Sequence, residues 1–186
     1  LQTEYKHYVA KLSLADDPDV HELCWFLALV RDACKSGGAR VRHVQATSNL
    51  FEADFSDSIY RRPRRVRVLG LSPNAADIEH CKATIWRAAS DGRLTSMSDG
   101  NQNVAAAALY LQCGEARVLL GSDVLADRVA GGGWQGIVDD NALPQLVAQF
   151  VKVAHHGAAS GYYELAWNQH SEANDLVAGL TPFTKG

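Results

Sequence analysis

The chain has 186 residues, of which 47% are hydrophobic and 21% charged, and its net charge at pH 7 is −3. This composition is typical of an ordinary globular protein and excludes a disordered or membrane-embedded chain, while the length suits one domain with its own core. The slightly acidic balance gives no overall attraction for nucleic acid, so such a contact would depend on a local basic patch.

The cysteines and the chain ends bear on where the protein is found. The four cysteines are scattered without a Cys-x-x-Cys pair, which is typical of reduced core residues in a cytoplasmic protein. No apolar run reaches about 18 residues, so we expect no membrane segment. The chain starts at Leu1 without the layout of a signal peptide, and we expect that a longer polypeptide precedes it.

In the first half of the chain, helical periodicity alternates with strand-like alternation. Asp16 and Asn74 are suited to cap predicted helices, and glycines follow the end of each helix. A Ser-Pro dipeptide closes the second predicted strand. The predicted elements are, in order, a helix over about 18–36, strands over 39–46 and 64–73, and a helix over 74–92.

The second half of the chain has a strand-like pattern. Cys113-Gly114-Glu115 separates two apolar runs within 103–123, which predicts a β-hairpin, although the alanines at 105–108 alone would favour a helix. Beyond the hairpin, the predicted elements are a short helix over 138–149, interrupted near Pro144, and strands over 150–154 and 176–182. This order predicts a layered α/β protein whose strands are buried on both faces.

Polar residues directly follow two of these strands. Asp123 ends "RVLLGSD", and His155 and His156 end "FVKVAHH". Residues that follow buried strands tend to meet at one sheet edge, and carboxylate with imidazole suits zinc, manganese or iron. Alone, Asp123 could instead cap a helix or stabilise a turn. The two histidines cannot both lie on one strand face, so one of them must face away from the core.

The same segments resemble a known family. "LYLQCGEARVLLGSDVLAD" followed by "VKVAHHGAASGYY" is similar to the second half of the metallo-β-lactamase fold, in the branch that includes the soluble domain of bacterial competence DNA-uptake proteins. "RVRVLGLSP" and "GNQN" resemble the strand and the Asn-rich segment that precede this block. The resemblance covers about residues 64–182. It implies an α/β fold, a metallo-β-lactamase-like αββα sandwich that is incomplete here, with 1–186 as the C-terminal portion of a single domain.

The resemblance also implies roles for individual residues. Asp123 matches an aspartate that bridges two metal ions, and His156 matches a ligand of the second ion. His155 would be the alternative ligand, or would lie behind the ligand or face the substrate. With two zinc ions, or manganese or iron, these three residues would form the catalytic site of a metal-dependent hydrolase. Its metal-activated water would cleave phosphodiester bonds in nucleic acid or nucleotides.

The sequence also departs from the family pattern. The principal His-x-His-x-Asp-His motif is absent from these residues, Gly-Asp has become Gly-Ser-Asp, and Ala158 replaces the serine after His-His-Gly. Either the rest of the polypeptide or a partner chain supplies the other metal ligands, or the protein is a degenerate member without metal. The second case describes a catalytically inactive binding or scaffold module of a larger complex.

Three further features have both a functional and a structural interpretation. Arg62, Arg64 and Arg65 in "YRRPRRVRV" could contact substrate phosphates or form a solvated loop. Tyr162 could line a substrate pocket or cap the sheet edge. The segment "AGGGW" could be a mobile lid with Trp134 as a stacking surface, or a surface loop that the tryptophan anchors.

Overall fold

The structure is a computed structural model that describes Asp32, Lys35 and residues 44–56, 63–90, 102–126, 129–140, 145–169 and 175–182. The chain divides into two compact units, Leu1–His43 and Val44–Gly186. In the first unit, Asp32 and Lys35 are helical, as expected for the helix over 18–36, whose other residues lie outside the described part. That the whole chain is a single domain stays a prediction.

The second unit contains a six-stranded sheet in which the strands lie side by side in chain order. The strands are β1 (Asn49–Ser56), β2 (Pro63–Gly70), β3 (Leu109–Cys113), β4 (Ala116–Leu120), β5 (Phe150–Lys152) and β6 (Val177–Gly179). The first four strands pair antiparallel, whereas β4, β5 and β6 pair parallel. The ends of β4, β5 and β6 therefore lie at the same edge of the sheet.

The described residues of the second unit form three α-helices: α1 (Ala75–Ser90), α2 (Gly133–Asp139) and α3 (Glu164–Asn168). Asn74 caps α1 as predicted, because its Oδ1 accepts the Asp77 N–H at 3.0 Å while Asp77 Oδ2 accepts the Asn74 N–H at 3.1 Å. This reciprocal pair satisfies two backbone donors at the helix start. The prediction of a mixed α/β fold is confirmed, and no helix in the described ranges has the length and apolar character needed to cross a membrane.

One face of the sheet forms the core. Four side chains in register across β2 to β5 are each at most 4% exposed, and we call them the core row: Leu69, Tyr110, Leu119 and Val151. Trp134 and Ile137 of α2 and Ala166 of α3 belong to the same cluster of buried residues. Burying each large apolar side chain of this kind contributes about 1.5–3 kcal/mol, so this cluster positions α2 and α3.

The opposite face of the sheet is apolar as well. One residue from each strand lies in register across it, and we call this set the outer row: Phe51, Val68, Leu111, Val118, Phe150 and Val177. Three of its members are partly exposed, with Phe51 45%, Phe150 37% and Val177 56% exposed. Both faces of the sheet therefore carry the side chains of a buried layer.

Several predicted elements are shifted or new. The hairpin around Gly114, the strand over 64–73 and the last two strands are confirmed. The helix over 138–149 is wrong, since α2 ends at Asp139 and residues 145–148 are irregular. The strand predicted over 39–46 is described only at residues 44–46, which do not pair with another strand. The strand β1 was not predicted. Of the alanines at 105–108, the first ends a short 3₁₀ helix, Gln102–Ala105, and the other three are irregular.

Candidate functional site

Parallel pairing of β4 and β5 brings Asp123 and the histidine pair to one edge of the sheet. Leu120 and Lys152, the last residues of these strands, are register partners. Asp123 and His155 each follow three residues later, and the His155 N–H donates to the Ser122 carbonyl at 2.9 Å. The convergence expected from the sequence is therefore present in the backbone.

The side chains of His156 and Asp123 face each other at this edge. His156 Nε2 lies 3.5 Å from Asp123 Oδ1, and the two side chains are 32% and 35% exposed. Two ligand atoms of one tetrahedral zinc ion, each bonded at about 2.0–2.2 Å, lie roughly 3.3–3.5 Å apart. The spacing of these two atoms therefore fits a shared metal ion, and their partial exposure leaves the position accessible.

A second contact orients the His156 ring. Its Nδ1 lies 2.8 Å from the Thr181 carbonyl, just beyond β6. A carbonyl only accepts, so Nδ1 carries the proton and donates it, and in the neutral ring Nε2 keeps its lone pair. Metal-binding histidines are held in this way by a backbone carbonyl on the far nitrogen. The Thr181 Oγ1 also lies 3.3 Å from Nδ1. Thr181 is 25 residues from His156, so no local pattern in the sequence could have identified this contact.

The backbone around the site lies in an uncommon conformation. Ser122, His155 and His156 have φ of 47°, 45° and 54°, and Gly157 has φ of 78°. Each non-glycine residue in this region costs of order 1–3 kcal/mol, and such residues cluster at functional sites. Close packing adds a constraint, because a Cβ on Gly121 would lie 2.9 Å from the Lys152 carbonyl oxygen. The two loops can approach only because position 121 has no side chain.

His155 has a different environment from His156. Its Nδ1 lies 2.9 Å from Ser160 Oγ. In the part of the chain that the structure describes, no three His, Cys, Asp or Glu side chains are grouped closely enough to hold a metal ion. The geometry thus supplies two donors, Asp123 and His156, where a catalytic zinc site has three protein ligands. Of the two histidines, His156 is the one placed beside the carboxylate.

The predicted substrate contacts are spread over the sheet. Arg64 and Arg65 are adjacent on β2 and so point to opposite faces, at the end of the sheet away from Asp123. Tyr162, which is 57% exposed, follows the histidine block after a short 3₁₀ helix. Arg62 lies outside the described residues. Their roles in substrate binding stay predictions.

The glycine-rich segment before α2 is fixed in place. Gly133 N donates to Asp77 Oδ1 at 3.0 Å, and a Cβ on Gly132 would overlap that same carboxylate. Trp134 is only 5% exposed and belongs to the core cluster. Trp134 as a stacking surface on a mobile lid is therefore wrong, and its interpretation as an anchor is correct. Asp77 is only 2% exposed, and sequence reasoning did not identify it.

Comparisons with known proteins add nothing to this geometry. No protein-family model, curated protein or solved structure matches the chain. The resemblance to the metallo-β-lactamase fold stays a prediction, and the chemistry of the site depends on its donor atoms.

Proposed function

We propose that the protein is a metal-dependent hydrolase of the metallo-β-lactamase fold that cleaves phosphodiester bonds, in nucleic acid or a nucleotide, with metal-activated water. One observation carries the proposal. Asp123 Oδ1 and His156 Nε2 lie 3.5 Å apart at the ends of two parallel strands. The far nitrogen of His156 donates to a carbonyl, as it does in metal-binding histidines.

Each residue of the edge has a distinct task in this proposal. Asp123 provides an anionic oxygen, and His156 provides a neutral nitrogen that Thr181 holds in orientation. Ser160 fixes the ring of His155 beside them. A bound zinc, manganese or iron ion would act as a Lewis acid and lower the pKa of its water toward neutrality. The further ligands, including those of a second ion, would come from the rest of the polypeptide or from a partner chain.

The outer row supports the fold that this function requires. Sheets that pack face to face lie about 10 Å apart and interdigitate apolar side chains from their inner faces. The outer row offers such a face across all six strands. A second sheet on this row, with α1, α2 and α3 outside the first sheet, would give the αββα sandwich.

The first experiment is a calorimetric titration of the 186-residue chain with Zn²⁺ and with Mn²⁺. We expect a saturable site that Asp123→Ala and His156→Ala each weaken at least about 10-fold, since each removes one donor. Glu79→Gln is the matched control, because Glu79 is an exposed carboxylate on α1 paired with Lys82. Cleavage of bis(p-nitrophenyl) phosphate, dependent on the same metal and residues, then tests the reaction.

A second candidate function is a catalytically inactive binding or scaffold module of a larger complex. The two-donor set and the open outer row favour it. In that case His156 and Asp123 form an ordinary imidazole–carboxylate pair. Metal that binds equally well without Asp123 and His156 would contradict the hydrolase and support the module. Lack of uptake would do so only when the rest of the polypeptide or the partner chain that supplies the further ligands is present.

A further inference from the structure

The end of the sheet away from Asp123 carries a polar groove of about 440 Å³. Five residues line it, and we call it the hairpin groove: Glu52, Arg65, Arg67, Gln112 and Gly114. Glu52 lies opposite Arg67 in the ladder, and Arg67 lies opposite Gln112. Arg67 is two residues from Leu69, so the groove continues the face that holds the core row.

The groove is separate from the candidate metal site. Gln112 pairs with Arg117, which comes three residues before β4 ends at Leu120. Three residues of strand span about 10 Å, and Asp123 lies beyond that end. A small ligand in the groove would therefore not touch Asp123 or His156.

Glu52 lies between two arginines in this groove. The carboxylate pairs with the Arg65 guanidinium. Hydrogen bonds from Asn49 and then from Arg65 lower the pKa of Glu52, and the charges of Arg65 and Arg67 lower it further. Glu52 is thus an anion that forms an ion pair with Arg65, whereas Arg67 acts on it only through its charge.

One donor atom of Arg67 lacks an acceptor. Its Nε is buried and has no hydrogen-bond partner among the residues that the structure describes. A buried donor without an acceptor costs about 1–3 kcal/mol, and more when it is charged. On this face Arg65, Arg67 and Arg117 stand against Glu52 and Asp54, an excess of one positive charge. The groove is therefore complementary to one further anionic group.

We propose that the hairpin groove binds a phosphate group, with Arg67 as its principal donor. The planar guanidinium matches the oxygens of phosphate in a two-point hydrogen bond, which is why arginine predominates in phosphate recognition. The volume lies within the range of small-molecule sites, about 300–1,000 Å³, so a nucleotide-sized group fits. This site does not depend on metal or on the proposed hydrolysis.

Fluorescence anisotropy with a labelled ten-residue oligothymidine, at low salt and with a chelator present, tests the groove. Arg67→Gln should weaken binding about 10-fold, the usual value of a hydrogen bond to a charged group. Glu52→Gln should strengthen binding several-fold, because it removes the competing carboxylate and releases Arg65. Arg87→Gln, which removes an exposed arginine on α1, is the charge-matched control and should leave the affinity nearly unchanged.

Two competitors identify the source of the phosphate. Inorganic phosphate that displaces the oligonucleotide only at much higher concentration indicates a nucleic-acid backbone. If the oligonucleotide does not bind but phosphate binding, followed by calorimetry, responds to Arg67→Gln, the ligand is a free phosphate group. Circular dichroism checks that the variants are folded.

Other outcomes would overturn the proposal. Equal effects of Arg67→Gln and Arg87→Gln would mean that the oligonucleotide is attracted by the overall charge of the protein and not by the hairpin groove. The proposal would also be overturned if Glu52→Gln weakened binding, if acetate competed as strongly as phosphate, or if neither probe bound. Because the chelator excludes metal throughout, failure of the groove and failure of the metal site are read separately.

Discussion

On one face of the sheet, the core row is at most 4% exposed beneath α2 and α3, while on the other face Phe51 and Val177 at the two margins of the outer row are 45% and 56% exposed. The core row and the outer row are nevertheless both made of large hydrophobic side chains. An antiparallel sheet with one face toward water normally alternates apolar with polar side chains. Both rows therefore have the residue types of a layer that is covered by other elements. The described residues cover the core row far more completely than the outer row.

The largest effect that separates the two faces should come from matched leucines. Leu119→Ala removes a side chain that is 1% exposed in the core row and should cost about 3 kcal/mol in the free energy of unfolding. Leu111→Ala removes the same atoms from the half-buried outer row and should cost about 1 kcal/mol. Urea denaturation measures both values, and equal losses would break the comparison.

A somewhat smaller effect concerns the buried carboxylate that ties α1 to the start of α2. Asp77 accepts hydrogen bonds from the backbone N–H groups of Asn74 and Gly133. Asp77→Ala leaves both donors without this partner and should cost about 2–3 kcal/mol. Glu79→Ala on the exposed side of α1 should change stability by less than about 0.5 kcal/mol. A neutral result at Asp77 would mean that the covering helices do not depend on this contact.

A third prediction sharpens the comparison through pH. The Tyr110 hydroxyl donates to the Val147 carbonyl at 3.0 Å, so Tyr110→Phe should cost about 1 kcal/mol at neutral pH. Burial raises the pKa of Tyr110, against a smaller opposing effect of the Arg117 charge. The folded protein holds this proton more tightly than the unfolded chain, so stability should fall as the pH rises above about 10.

The measurement for this third prediction is the urea midpoint between pH 8 and pH 11. Tyr110→Phe should remove part of the alkaline decline, whereas Tyr162→Phe, at an exposed tyrosine, should not. An unchanged decline in Tyr110→Phe would show that the core row does not shield this hydroxyl.

The smallest change in stability is expected at the partly exposed members of the outer row. Phe150→Ser, at a side chain 37% exposed, should alter the free energy of unfolding by less than about 1 kcal/mol. It should nevertheless lower the fluorescence of a hydrophobic dye bound to the chain, because contiguous exposed apolar surface binds such dyes. Trp86→Ser, at a tryptophan of α1 that is 73% exposed and lies outside the outer row, should lower it less. The reverse order would argue against the outer row as a continuous surface.

Local patterns were sufficient to predict much of this fold. Asn74 as a cap, the Gly114 turn and the apolar runs of the last strands depend on neighbours in sequence, and the structure has them there. The start of α2 depends instead on Asp77, which lies 56 residues away and holds Gly133. A window over 138–149 contains no sign of that contact, so the helix was placed too late.

The site was predictable to a similar degree. The ends of the predicted strands indicated Asp123 and the histidine pair. The orientation of the His156 ring toward Asp123 depends instead on the Thr181 carbonyl, just beyond β6. The hairpin groove could not be predicted, because Arg67 and Gln112 meet through strand register rather than through spacing in the chain. The segment "YRRPRRVRV" predicts one arginine cluster, whereas Arg64 and Arg65 lie on opposite faces of the sheet because side chains alternate along a strand.

Because the backbone from His155 to Gly157 is left-handed, the opening of this loop should show whether a ligand is bound to it. Its conformation is kept by loop contacts such as those with the Ser122 and Thr181 carbonyls rather than by a strand ladder, so it should open locally more often than the sheet beneath it. A ligand held by both Asp123 and His156 binds only the closed loop and must suppress that opening. Slower amide hydrogen exchange at residues 155–157 would therefore reveal a bound ligand before any substrate is known.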